Sequence, residues 1–195
     1  MDSNQILKAN EIKEYLEKFD FIKSCEISGS LKEGSSDCYS DIDLRINVNG
    51  SDNGKVLLML PQLLSKKFEI IYTAFAPRFA PDLYIVSFGF KNMDIFHFVD
   101  IECIAEPHIA SLSKEEIKQI NNMKSLKLKL YIGLLKKILR NKDISDELSF
   151  FLKKKITISN SKKVLKDEFY KLYEIVNTDM KSLIKKGLEY LETIK

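Results

Sequence analysis

The sequence predicts an α+β protein in which a mixed β-sheet with flanking helices is followed by a helical bundle. Residues 1–112 contain short apolar runs that alternate with turns, whereas the pattern from Ser113 onward is helical almost throughout. The predicted strands are joined by short links, and their order is typical of a mixed sheet rather than of a repeating βαβ array. We therefore expect a first domain over residues 1–108 and a helical domain over residues 109–195.

The first elements are a helix and two strands. Apolar residues at helical spacing predict a helix over 4–19, and a short mixed run predicts a strand over 22–28. Residues 41–48 alternate strictly between polar and apolar side chains, which indicates a strand with one buried face. Asp41 and Asp43 lie on its polar face.

A second helix and three more strands follow. Residues 55–67 are apolar at helical spacing, and Pro61 is expected to start a helical segment or to kink one. A turn is predicted at 91–94. The β-rich runs that predict the strands are 68–76, 82–90 and 95–104.

The last part of the chain predicts three helices in a bundle. Ser113 and Glu116 fit a capping box that begins a long helix ending near residue 139. The second helix is predicted over 144–155 and the third over 162–194. We therefore expect these three helices to pack as a bundle.

The composition is that of a globular protein, with 45% hydrophobic and 30% charged residues. The sequence also argues against several other classes of protein. No apolar run approaches the roughly 18 residues of a membrane helix, and the first residues lack the pattern of a secretion signal. The three cysteines, Cys25, Cys38 and Cys103, are far apart, so neither a disulfide framework nor a CxxC metal site is indicated. We expect a cytoplasmic protein with reduced thiols and no membrane partner.

The charge is distributed unevenly. Residues 1–112 carry 11 Lys and Arg against 17 Asp and Glu, a net charge of −6, and residues 113–195 carry 20 against 11, a net charge of +9. An acidic half could hold cations and a basic half could attract phosphates. Solvated faces of Lys-rich helices explain the same asymmetry, so charge alone does not assign a function.

One group of residues has the side chains and spacing of a ligand-binding site. Gly29 and Ser30 follow a predicted strand, and a glycine there lets the backbone approach a phosphate closely while N–H groups and the Ser30 hydroxyl donate hydrogen bonds. Asp41 and Asp43 project from the same face of their strand. Two like charges so close repel unless a cation lies between them, and Mg²⁺ prefers carboxylate oxygens and bridges to substrate phosphates. The pattern predicts a site for Mg²⁺ and a phosphate-bearing ligand.

This stretch, a Gly-Ser pair, a spacer and Asp-x-Asp bracketed by apolar residues, resembles the signature of the DNA polymerase β-type nucleotidyltransferase superfamily. It is similar to the small adenylyltransferases that inactivate aminoglycosides and lincosamides. The resemblance covers about residues 20–105 and implies a nucleotidyltransferase domain that transfers AMP from ATP to an acceptor, with Mg²⁺ as the metal. The residues that it implies as contacts to the nucleotide are Gly29, Ser30 and Ser40.

The family also places a third carboxylate on a later strand. Asp100 and Glu102 are the candidates, and Asp100, framed by Val99 and Ile101, better matches the family's pattern. A charge within so apolar a strand needs a partner, which a metal would provide. The catalytic and metal-binding set that the resemblance implies is Asp41, Asp43 and Asp100, with Glu102 as the alternative third member. Which residue accepts the acceptor's proton stays open.

Several acceptors fit this chemistry. The leading hypothesis is an antibiotic-resistance transferase that modifies a hydroxyl of a small molecule, such as an aminoglycoside or a lincosamide. The alternatives are a protein-AMPylating antitoxin of a toxin–antitoxin pair and an enzyme that modifies nucleic-acid ends, which is less favoured because such enzymes typically carry further domains. A non-catalytic regulator is disfavoured because all three candidate carboxylates are present. The nucleobase and the oligomeric state, a homodimer included, stay open.

The remaining candidates are weaker. His97 and His108 lack zinc-ligand spacing and are expected to be core or surface residues. The sequence contains neither a P-loop nor a GxSxG motif, which argues against P-loop ATPases and α/β-hydrolases. Lysines of the helical half that could contact the triphosphate are Lys124, Lys127, Lys129 and Lys136, among which the sequence does not decide.

Overall fold

The computed structural model describes residues 3–48, 50–76, 84–105, 114–120 and 122–194. In chain order the helices and strands are α1 (Ser3–Leu16), β1 (Ser24–Ser28), α2 (Gly29–Glu33), β2 (Ile42–Asn47), α3 (Asn53–Ser65), β3 (Ile70–Ala76), β4 (Tyr84–Phe90), β5 (Val99–Ile104), α4 (Lys114–Ile120), α5 (Met123–Leu139), α6 (Ser145–Leu152), α7 (Ile158–Ile175) and α8 (Thr178–Thr193). The predicted α+β class is confirmed.

The chain divides into two compact units, Met1–Asn121 and Asn122–Lys195. The first unit contains the sheet and the second contains helices α5 to α8. The predicted boundary between residues 108 and 109 lies outside the described residues.

The five strands form one mixed sheet in the order β1-β2-β5-β4-β3. β2 and β5 are parallel and pair from Ile42 with Val99 to Asn47 with Ile104, while the other neighbouring strands are antiparallel. The parallel pair lies at the centre of the sheet and joins segments that are distant in sequence.

One face of the sheet forms the core of the first unit. The apolar residues of β2 face α1 and α3, which pack on this side. Burial of these apolar side chains supplies the main driving force for folding. The core residues on β2 and the two helices are Ala9, Ile12, Leu16, Ile42, Leu44, Ile46, Val56, Leu57, Leu60 and Leu64. Because strand side chains alternate, the intervening polar residues of β2 lie on the opposite face.

The predicted strand over 95–104 is too long. β5 begins only at Val99, because Asp94 makes a turn: its carboxylate accepts a hydrogen bond from the N–H of Phe96 at 3.0 Å, and its carbonyl accepts one from the N–H of His97 at 3.1 Å. Asp commonly forms such local bonds in competition with strand pairing.

The predicted helix over 162–194 is two helices, so that prediction was wrong. The side chain of Asn177 accepts a hydrogen bond from the N–H of Met180 at 3.1 Å and caps α8. Asn122 likewise caps α5 through the N–H of Lys124 at 2.9 Å, which separates α5 from α4. The predicted capping box at Ser113 lies outside the described residues.

In the second unit α7 packs against α5, α6 and α8. Thr157 and Asn160 form a capping box at the start of α7. Within the ranges given above, no helix combines the length and the apolar character that crossing a membrane requires.

Candidate functional site

A row of four polar residues crosses the sheet on the face opposite the core. Asp43 of β2 is the register partner of Asp100 of the parallel strand β5, so their backbones are neighbours about 4.8 Å apart. Ser28 of β1 is paired with Asp43, and Ser87 of β4 is paired with Asp100. Two carboxylates from segments far apart in sequence therefore stand side by side between two hydroxyls.

Asp41 lies on the same face, two residues before Asp43. The adjacent N–H of Ile42 donates to the carbonyl of Phe98 at 2.8 Å, which fixes this end of β2 against the segment entering β5. Burial, and then the charges of Asp100 and Asp41, raise the pKa of the Tyr72 phenol well above its ordinary value. Both carboxylates therefore lie within electrostatic range of one side chain.

Gly29 lies directly against Asp43. Its φ of +60° is in the left-handed region, and a Cβ added there would lie 2.1 Å from Oδ2 of Asp43. Only glycine allows both this backbone conformation and this contact. The Gly-Ser turn at the start of α2, predicted to bind phosphates, thus lies beside the carboxylate predicted to bind Mg²⁺.

The two serines of the predicted site differ in their surroundings. Ser30 follows Gly29 in α2, is half-buried, and its carbonyl accepts from the N–H of Ser35 at 3.0 Å. The Ser40 hydroxyl donates to Oδ1 of Asp37 at 2.9 Å and accepts from the N–H of Asp37 at 3.0 Å. The Ser40 hydroxyl therefore organises the loop before β2, and its predicted contact with the nucleotide stays a prediction.

Gln5, which sequence reasoning missed, supports the same loop from α1. Its side chain is fully buried, and its amide nitrogen donates to the carbonyls of Ser40 at 2.9 Å and Asp37 at 3.3 Å. Nε2 of the buried His97 lies 3.1 Å from the carbonyl of Cys38. The sequence signal was a polar residue at a core position of the α1 pattern, four residues before Ala9.

Replacing Gln5 by Met is expected to loosen this loop. The change keeps a similar shape but removes the donor to the Ser40 carbonyl and leaves the Asp37 carbonyl with the N–H of Ser40 at 3.1 Å, so the free energy of unfolding should fall by about 1–3 kcal/mol. Hydrogen exchange should accelerate at the N–H groups of Asp37 and Ser40, as measured by NMR. Asn10→Met on the exposed side of the same helix is the control and should change the free energy of unfolding by less than about 0.5 kcal/mol. Equal protection in both variants would contradict the role of Gln5.

Glu102, the alternative third carboxylate, has a partner of its own. It forms an ion pair with Arg45, its register partner on β2, and this pairing raises the pKa of Arg45. Glu102 lies one row further along the strands than Asp100, on the same face. Its charge is thus already compensated by a neighbouring cation.

The carboxylate oxygens of this site are ligands that a hard cation prefers. On their own, however, the carboxylates do not form a complete metal site. Among the residues that the structure describes, no group of three His, Cys, Asp or Glu side chains is positioned to hold a metal ion. Mg²⁺ is commonly held by one or two protein carboxylates together with substrate phosphates and water. The neighbouring carboxylates of Asp43 and Asp100 fit a cation that arrives with its phosphate ligand.

The remaining sequence candidates are lysines of the helical half, His108 and the cysteines. Nζ of Lys124 donates to the carbonyl of Ile175 at 2.5 Å, and Lys136 is buried. Both belong to the second unit, whereas the carboxylates belong to the first. His108 lies outside the described residues. All three cysteines are free, and burial raises the pKa of the Cys25 and Cys103 thiols to about 12.

The geometry is the main guide to function. No protein-family model matches the chain, and no curated protein matches it.

Proposed function

We propose that the chain is a magnesium-dependent nucleotidyltransferase that transfers a nucleoside monophosphate, AMP from ATP in the first instance, to a hydroxyl of a small-molecule acceptor. One observation carries the proposal: Asp43 and Asp100 are register partners on adjacent parallel strands, and the glycine of the Gly-Ser turn lies against Asp43. A cation site beside a phosphate-binding turn is the arrangement that nucleotidyl transfer requires.

The choice of Asp100 over Glu102 as third carboxylate is supported by their partners. Glu102 is paired with Arg45, whereas Asp100 stands next to a second carboxylate, Asp43. Two adjacent carboxylates attract a divalent cation.

In this mechanism Asp41, Asp43 and Asp100 would hold Mg²⁺, which when bound neutralises charge on the triphosphate and lowers the pKa of the attacking hydroxyl. Backbone N–H groups of the turn at Gly29 and the Ser30 hydroxyl donate to the terminal phosphates. The acceptor oxygen forms a bond to the α-phosphorus as the bond to the bridging oxygen breaks. Pyrophosphate leaves with that electron pair, and the hydroxyl proton passes to a carboxylate in or beside the row.

The acceptor class is proposed from charge. The net charge of −6 over residues 1–112 suits a cationic small molecule such as an aminoglycoside. The net charge of +9 over residues 113–195 favours nucleic acid as the second candidate acceptor, through its phosphate backbone.

The test is a transfer assay with ATP labelled separately at the α- and γ-phosphates. We expect the α-label to pass to a small molecule in a panel of aminoglycosides, lincosamides, tRNA and proteins, with Mg²⁺ required and EDTA inhibitory. Transfer of the α-label only to tRNA or to a protein would show that the acceptor is a macromolecule and not a small molecule. Transfer of the γ-label, or no Mg²⁺-dependent binding of ATP at all, would refute nucleotidyl transfer.

A further inference from the structure

The segment that leads into β5 packs against the stretch of chain that contains Asp41. The rings of Phe96 and Tyr39 meet edge to face, with their centroids 5.1 Å apart. Two residues further along, the carbonyl of Phe98 accepts a hydrogen bond from the N–H of Ile42 at 2.8 Å. Phe96 and Phe98 are only 1% and 3% exposed. Asp41 therefore lies between two points at which its chain is held to the segment before β5.

His97 lies between these two contacts and is the polar residue of an otherwise apolar run. Its side chain is buried, and its Nε2 lies 3.1 Å from the carbonyl oxygen of Cys38. Because a carbonyl oxygen can only accept, Nε2 must carry a hydrogen and donate it. Buried polar side chains are nearly always hydrogen-bonded. The partner of this one is the backbone of the loop that precedes β2.

Both ends of the contact between His97 and the loop are themselves held. The turn at Asp94 fixes the backbone of His97, whose N–H donates to the Asp94 carbonyl at 3.1 Å. In the loop, the carbonyl of Ser40 accepts from the buried side chain of Gln5 at 2.9 Å. The loop is thus bonded from α1 on one side and from the segment before β5 on the other.

Asp41 depends on this loop more than Asp43 does. Asp43 lies within β2 and is paired with both neighbouring strands, β1 and β5. Asp41 comes before Ile42, the first residue of β2. The strand therefore fixes the position of Asp43, whereas the loop contributes to that of Asp41.

We propose that His97 is a positioning residue, which fixes the loop before β2 by donating to the Cys38 carbonyl and so holds Asp41 in place beside the strand of Asp100. The bond is made by a side-chain donor, so a substitution can remove it while the backbone of both segments stays the same. The consequence for metal binding rests on the proposed function, but the hold of His97 on the loop does not.

The hold on the loop is tested by hydrogen exchange of the metal-free protein, measured by NMR, with His97→Gln and His97→Met. Gln and Met have side chains of similar length, and only Gln has an N–H that can donate. His97→Met should accelerate exchange at the N–H groups of Tyr39 and Ser40 about 5-fold or more, as loss of a hydrogen bond of ordinary net strength does. His97→Gln should keep both rates within about twofold of the wild type. Equal acceleration in the two variants would overturn the proposal.

Tyr15→Phe is the control for loss of global stability alone. The Tyr15 hydroxyl donates to the carbonyl of Leu63 at 3.1 Å, near the end of α1 that is distant from Gln5. The variant loses a bond of the same kind and length as that of His97, but exchange at Tyr39 and Ser40 should stay within about twofold of the wild type, because distant sites act independently. If Tyr15→Phe accelerated loop exchange as much as His97→Met, global stability would explain the effect and the proposal would fall.

The effect on the carboxylate site is measured with Mn²⁺ and a non-hydrolysable ATP analogue, by titration of the Mn²⁺ electron paramagnetic resonance signal. His97→Met should weaken Mn²⁺ binding about 10-fold, as loss of a residue that supports a metal ligand does. His97→Gln and Tyr15→Phe should bind Mn²⁺ as the wild type does. Normal Mn²⁺ binding by His97→Met would overturn the positioning role and keep the proposed function. Faster loop exchange in His97→Met, without any Mn²⁺ binding by the wild type, would refute the proposed function but keep the hold of His97 on the loop.

Discussion

Replacing Asp43 by Asn is expected to abolish nucleotidyl transfer without lowering the stability of the fold. The carboxylate of Asp43 stands beside that of Asp100 in the parallel register, and it lies on the face opposite the core. Loss of a ligand that helps a metal to stabilise the transition state removes several kcal/mol, which corresponds to a decrease in rate of about 10³-fold.

The stability of this variant separates a functional carboxylate from a structural one. Like charges opposite each other in a sheet are destabilising by about 0.2–1 kcal/mol, so Asn at position 43 should leave the free energy of unfolding unchanged or raise it by that amount in metal-free buffer. With Mg²⁺ and ATP present the order should reverse, because only the wild type gains stability from the bound ligands.

Urea unfolding with and without Mg²⁺ and ATP, alongside the α-label transfer assay, measures both effects. Asp20→Asn, at an exposed position after α1, is the control and should behave as the wild type in both assays. Substantial transfer by the Asp43→Asn protein would show that the metal site is elsewhere. Loss of transfer together with marked destabilisation would show that Asp43 is a structural residue.

The sheet could be predicted where a strand has one buried face. Residues 41–48 alternate strictly, and β2 has the predicted place and the predicted buried side. The apolar run at 95–98 carried no such alternation, and a turn made by Asp94 occupies it instead. An apolar run shows that residues are buried, but it does not distinguish a strand from a buried turn.

The helices of the second unit were predicted as helices but not with the right ends. The pattern over 162–194 stays amphipathic through the break at Asn177, because α7 and α8 each bury a face. The break depends on a single side chain that bonds the N–H of Met180. A local cap of this kind is worth about 1 kcal/mol and leaves little trace in hydrophobic periodicity.

The candidate site was predictable only in part. Spacing alone predicts that Asp41 and Asp43 share a face, because they lie two apart on a strand. Asp43 and Asp100 are neighbours because of the register between two strands that are distant in sequence. The spacing of residues along the chain does not reveal that register. The support that Gln5 gives to the loop before β2 was missed for the same reason, since its partners are backbone carbonyls that any sequence would supply.

Replacing Gly29 by Ala is expected to remove transfer activity at a modest cost in stability. The new Cβ would lie 2.1 Å from Oδ2 and 2.9 Å from Cγ of Asp43, so that carboxylate must rotate away. Because the end of a side chain can move while the backbone stays in place, the fold survives. A misplacement of about 1 Å in a catalytic group can reduce the rate about 10²-fold.

Gly34→Ala is the matched control for this prediction. Gly34 ends α2 with a φ of +71°, close to the +60° of Gly29, but a Cβ there would meet no atom within 4 Å. Both variants carry the cost of Ala in a left-handed conformation, about 1–2 kcal/mol, so urea unfolding should give similar decreases in the free energy of unfolding. Only Gly29→Ala should lose α-label transfer. If the two variants lost activity equally, backbone strain in α2 would explain the effect, and the contact between Gly29 and Asp43 would have no part in catalysis.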